Sequence, residues 1–193
     1  LIPRILILPG SAEPGSPTLR LAGEATRLLA MTDVALTTAN LADYPLPILD
    51  GAPPGAVPEN ARLLAGRFAL QDAILVIAPE IHAGIAPLLK NAIDWIAAAG
   101  ATLPPQAASP FRRVVVGLAG LSPAEGGTGA GLRHLREVLA ALGAEIVTAE
   151  CRITAGETLF DADGRLAGEG DRRHLDDLVD AVLDHARALG RGI

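Results

Sequence analysis

Five short apolar runs recur along this chain, and each is followed by a stretch with helical spacing. That alternation restricts the possible folds more than any other feature. The runs occupy 5–8 (ILIL), 34–39, 73–78 (AILVIA), 114–118 (VVVGL) and 145–149. Continuous apolar runs this short, bounded by turn residues, read as strands buried on both faces. Pro79 is expected to end the third. Between the runs, Leu19, Ala22, Ala25, Leu28 and Leu29 fall at helical spacing, as do 59–70, 132–142 and 171–189. A further helix is expected from Pro87, with Leu88, Leu89, Ala92, Ile93 and Ile96 on its apolar face and Gly100 at its end. Strands alternating with helices predict an α/β domain: a doubly wound, five-stranded parallel sheet with helices on both faces. Right-handed crossovers then bring every strand-to-helix loop to one edge of the sheet. A ligand crevice is expected at that edge, where the strand order reverses.

The chain has 193 residues, half of them hydrophobic, which suits one domain over 1–193 with a full core. Aromatics make up only 3%, so that core must be built mainly from Ala, Leu, Val and Ile. The net charge of −6, with no Lys/Arg cluster, argues against nucleic acid as a partner, since neutralising phosphates takes a basic face. The single cysteine, Cys151, excludes an internal disulfide framework and reads as a small buried hydrophobe. No apolar run reaches the length of a membrane span and no signal-peptide pattern stands out, so a cytoplasmic protein is expected.

Three loops at the predicted edge have unusual content: 9–18, 79–86 and 119–131. The first, PGSAEPGSPT, carries Gly10, Ser11, Gly15, Ser16 and Thr18. Ser16 suits a helix N-cap, and Pro17 suits the first helical position, where its missing N–H costs nothing. Hydroxyls, free amides and the positive helix end together make an anion site. Neither GxxxxGK[ST] nor GxGxxG is present, so the anion expected is a single phosphate; the plain alternative is a loop that only turns the chain. Glu13 opposes a phosphate. A carboxylate about 6 Å from a phosphate dianion costs several kcal/mol at an effective dielectric of ~20, so Glu13 must point outward if phosphate binds.

The rest of the chain is plainer. The Pro- and Gly-rich connection 41–58 is too long for an ordinary link and is expected to cover something. TLFDADGRLAG at 158–168 reads as a small hairpin turning at Asp163-Gly164. Lys90 and Asp94, four apart on a helix, read either as a weak ion pair or as interface residues. His134, His174 and His185 show no metal-ligand spacing, and no metal is expected.

Several segments resemble the NADPH-dependent FMN reductase family. Pro79-Glu80, Gly84 and LLKNAIDW at 88–95 are similar to its PEYNGS…LKNAIDW stretch. Gly10-Ser11, Ser16-Pro17-Thr18 resembles its GSxRxxSxN loop, and 126–144 resembles its later glycine-rich loop and helix. The resemblance implies a flavodoxin-like sheet in the order 2-1-3-4-5, with FMN as cofactor and NADPH or NADH as electron donor. It implies FMN contacts at Gly10, Ser11, Ser16 and Thr18 for the phosphate. Pro79, Glu80, Ile81, His82, Gly126 and Gly127 would border the ring. A quinone, free flavin or similar small molecule would accept the electrons, no side chain being needed as a catalytic acid or base. The helix at 86–98 would form part of a homodimer or tetramer surface. Three positions depart from the pattern: Glu13 stands where the family has Arg, Thr18 where it has Asn, and Ile81-His82 where it has Tyr-Asn. They leave open a flavodoxin-like domain that has lost FMN and serves as a binding or regulatory module. A third reading, Ser11 as a hydrolytic nucleophile, needs a nearby base, for which only His82 is a candidate.

Overall fold

The first apolar run forms β1 (Arg4–Pro9), and every residue of it after Arg4 is buried. The computed structural model describes residues 2–51, 57–122, 129–156 and 158–190. Along the chain follow α1 (Pro17–Leu29), β2 (Ala35–Thr38), α2 (Glu59–Ala69), β3 (Ala73–Ile81), β4 (Gly84–Ile85) and α3 (Pro87–Ala99). Then come β5 (Val115–Ser122), α4 (Ala130–Ala141), β6 (Glu145–Thr154) and α5 (Glu169–Leu189). Five strands pair in parallel in the order β2-β1-β3-β5-β6, and β4 hangs antiparallel on β3. The expected five-stranded path is therefore present. The expectation of five strands needs correcting to six, because a two-residue strand is too short to leave a periodicity.

Alternate side chains of β1, β3 and β5 feed two separate cores, whereas β2, at the sheet edge, is largely exposed. Leu6, Leu8, Ile74, Val76, Val116 and Leu118 face α2, α3 and α4. Ile5, Ile7, Leu75, Ile77, Val115 and Ala119 face α1 and α5. This two-sided burial is why the runs are uninterruptedly apolar.

The ends of two strands and the apolar face of one helix differ from expectation, and β5 runs on to Ser122 as well. β3 does not stop at Pro79, which pairs with Leu121 of β5. The carbonyl of Ile77 faces β1, where it accepts from the Gly10 amide at 2.8 Å. Pro79, two residues on, faces the same way, but β1 has ended there, so its missing N–H removes no ladder bond. β6 runs past the apolar stretch to Thr154, with Glu150 and Arg152 on it. It lies at the edge of the sheet, where polar side chains are tolerated. Leu88 is 41% exposed and does not belong to the apolar face of α3, which instead includes Trp95 and Ala99.

The connection 41–58 does cover something. Tyr44, Leu46, Leu49 and Val57 pack against the core beneath α2 and α3. Asn91 straps it down: its side chain accepts from the Leu49 amide at 2.9 Å and donates to the Pro47 carbonyl at 2.9 Å. The Trp95 indole donates to the same carbonyl at 2.6 Å. Within LLKNAIDW, then, Asn91 and Trp95 hold the strap, and Leu89, Ala92 and Ile93 fill the core. Lys90 and Asp94 form the expected ion pair, at 2.6 Å and half exposed. The predicted hairpin is present too, as a Phe160–Leu166 bridge with Gly164 at φ +77°.

The β3–β4 turn is less comfortable. Its central residues are His82 at φ 49° and Ala83 at φ 59°, a conformation that favours Asn-Gly. Ala83→Gly relieves the left-handed penalty on a side chain and is expected to stabilise the fold by about 0.5–1 kcal/mol, net of the added chain entropy. Thermal melting should show a rise of about 2 °C. Asn91→Ala leaves the Leu49 amide without its acceptor and should cost about 1–2 kcal/mol, read from the denaturant midpoint. It should also speed proteolysis within 44–51.

Candidate functional site

A cavity of about 470 Å³ opens at the carboxyl ends of β1 and β3, between the loop after β1 and the β3–β4 hairpin. Here the strand order reverses, since β2 lies to one side of β1 and β3 to the other. The volume is in the range of small-molecule sites.

The polar end is built by the turn into α1. Gly15, at φ +76°, folds the loop so that the Ser16 amide donates to the Glu13 carbonyl at 3.1 Å. Ser16 caps α1, its Oγ accepting from the Leu19 amide at 3.3 Å, with Pro17 next as expected. Ser11 and Thr18 line the same end, Thr18 being buried. Gly10 is required by crowding. A Cβ there would stand 2.8 Å from Pro79 Cδ and 2.9 Å from Leu89 Cδ2, closing the seam between the two loops.

The apolar end is made by Pro79, Ile81, Ala86, Pro87 and Leu88, with Leu121 and Ala155 from the ends of β5 and β6. The fold thus brings together Gly10, Ser11, Ser16, Thr18, Pro79, Glu80 and Ile81 of the expected set. His82 sits exposed on the hairpin turn and is not among the lining residues. Gly126 and Gly127 lie outside the described residues. Ala86, Pro87, Leu88, Leu121 and Ala155 were not anticipated. Leu121 and Ala155 reach the cavity because β5 and β6 extend beyond their apolar runs, and sequence patterning stops where those runs stop.

Glu13 and Glu80 both line the cavity, and among the described residues no Lys, Arg or His does so. Glu13 lines the cavity while remaining exposed to solvent. Cations gather instead on the neighbouring edge of the sheet. There Glu150 accepts from Arg136 and Arg152, each at 2.7 Å. Burial pushes the Glu150 carboxyl up, but these two hydrogen bonds and the charges behind them outweigh it and hold the group below its ordinary value.

Ser11 is not set up as a nucleophile. Its Oγ accepts from the Glu13 amide at 3.2 Å, and no histidine lines the cavity among the described residues. Hydroxyls and amides at a helix N-terminus, joined to an apolar slot, fit a flat ring carrying a phosphate-bearing chain. The groups of FMN match both ends.

Cys151 lies behind this edge, fully buried, with its thiol pushed up to about 12 by burial and by the charge of Asp171. A thiol with so high a value stays protonated and unreactive at neutral pH. A disulfide exchange reagent at pH 8 should leave the native protein unmodified and titrate one thiol after unfolding.

The chain matches the NADPH-dependent FMN reductase family over residues 3–157. It is 29% identical over 191 residues to an NAD(P)H-dependent FMN reductase of Pseudomonas aeruginosa, covering 96% of each chain. It is 28% identical over 183 residues to a 2-hydroxy-1,4-benzoquinone reductase of a Burkholderia species, covering 92% of each. Its fold is shared with the flavoenzyme NAD(P)H:(acceptor) oxidoreductase FerB of Paracoccus denitrificans, at a TM-score of 0.80 and 24% identity over 98% of this chain and 100% of that one. The family match spans most of the sequence, including both cavity-forming loops, and the chain belongs to the NADPH-dependent FMN reductase family.

Proposed function

We propose that this chain is an FMN-dependent NAD(P)H oxidoreductase that passes electrons to a small-molecule acceptor, a quinone, free flavin or similar compound. The observation that carries this reading is the two-ended cavity at the switch point, hydroxyls and a helix N-terminus at one end and an apolar slot at the other. Relatives sharing the family include a flavin reductase and a benzoquinone reductase.

Ser11, Ser16 and Thr18, with the first amides of α1, would hold the phosphate. Pro79 and Ile81 would border the ring, and Leu121 and Ala155 would close the far side against water. The redox chemistry, hydride transfer from NAD(P)H and onward transfer to the acceptor, would be that of the bound FMN. The protein's own contribution is to bind, orient and exclude water.

Exposed Ile48, Ile81 and Leu88 support assembly as a homodimer or tetramer in which α3 forms part of the surface. No helix among the described residues is long and apolar enough to cross a membrane. The lone cysteine supports a cytoplasmic location.

The test is an FMN titration of apoprotein followed by flavin fluorescence and calorimetry, then NAD(P)H oxidation with quinone and flavin acceptors. Saturable binding and FMN-dependent oxidation are expected. Absence of saturable binding at micromolar FMN would sink the reading and leave a domain that binds something else.

A further inference from the structure

The polar end of the cavity has hydroxyls but no cation. The three segments that reach this edge, 9–18, 79–86 and 119–131, contain no Lys or Arg, and their only histidine, His82, is on the hairpin turn away from the lining. Two carboxylates, Glu13 and Glu80, do line the cavity. Arg20, one turn further along α1 than the cap, stacks its guanidinium over the Phe160 ring at 4.1 Å. The chain as a whole carries a net charge of −6. A phosphate entering here is met by neutral donors and about half a positive charge from the helix end, against the full negative charge of Glu13.

We propose that Glu13 sets the flavin specificity of this site, so that phosphate-free flavin binds nearly as well as FMN. This rests on the flavin-binding reading above. Glu13 belongs to the same short loop as Ser11 and Ser16, the hydroxyls that would hold the phosphate, and its own amide is bonded to Ser11 Oγ at 3.2 Å. Glu13 lines the cavity beside these hydroxyls, yet remains in contact with solvent. Repulsion between solvent-exposed charges is screened by salt. FMN affinity should accordingly rise with ionic strength, the reverse of a site that holds phosphate through Lys or Arg. The riboflavin part of the ligand carries no charge, and its binding should ignore both salt and the residue at this position. The class of ligand accepted is thus the isoalloxazine with its ribityl chain, with or without the terminal phosphate.

The experiment measures dissociation constants for FMN and riboflavin on the full chain, for wild type, Glu13→Gln and Glu13→Arg. Each is taken at about 20 mM and about 300 mM salt, conditions that span the Debye length of interest. In wild type the two flavins should bind within about fivefold of each other, and Glu13→Gln should tighten FMN about fivefold at low salt, from the loss of one like charge in a well-solvated site. Glu13→Arg should tighten it further, to about fiftyfold. Riboflavin binding should change less than twofold in both variants, which also shows that they fold. Tight FMN binding with weak riboflavin binding in wild type, or an FMN-to-riboflavin ratio that Glu13→Gln leaves unchanged, would overturn the proposal while leaving the flavin reading intact. Failure of both flavins to bind any of the three proteins would overturn the two together.

Discussion

Parallel pairing of β1 with β3 is the constraint on which everything else at this site depends. The register from Ile5–Ala73 to Pro9–Ile77 ends β1 opposite Ile77 and lets β3 run on past it to Ile81. Because β2 lies on the other side of β1, the helices that follow β1 and β3 depart to opposite faces of the sheet. A crevice is left between their first turns, and the cavity occupies it. Its polar end comes from the loop after β1 and its apolar end largely from the segment after β3. Neither loop forms a site alone. Gly10 shows how closely they approach, because there is no room for a methyl group between Pro79 and Leu89.

The second face of the sheet sets how that edge is supported. α4 rests on the hairpin so closely that a Cβ on Gly131 would stand 2.9 Å from the Gly84 carbonyl. The hairpin holds its unfavourable His82-Ala83 turn under that packing. Residues held in sparsely populated backbone regions persist where their surroundings over-determine them. α3 does two jobs at once. Its first turn, Pro87 and Leu88, borders the cavity, while Asn91 and Trp95, one and two turns further along, bind the long connection. The position of the cavity wall is therefore tied to the strap.

Much of this was legible in the residues. Ser16-Pro17 located the start of α1 to the residue, since capping and the missing proline N–H act locally and need no tertiary context. The apolar runs located all five parallel strands; in β1, β3 and β5 burial on both faces leaves an unbroken pattern. The ends ran on unseen where the composition changes, at Pro79-Glu80 in β3, in the glycine-rich stretch after Leu118 in β5 and at the charged Glu150 and Arg152 in β6, and with them went Leu121 and Ala155. β4 escaped notice because two residues carry no period. His82 was expected to border the cavity; a turn sends adjacent side chains in different directions, and only its geometry could place this one on the outside.

The sequence by itself determined the layered α/β architecture, the capped start of α1 and the absence of positive charge from the edge loops. Each of these follows from residue type and local spacing. Only the tertiary structure decided which side chains meet. It set Gly10 against Pro79, carried Leu121 and Ala155 to the rim, turned Arg20 onto Phe160 and paired Glu150 with Arg136 and Arg152. These contacts join residues far apart in the chain. They depend on strand register and helix packing, which are collective properties that no short stretch of sequence encodes.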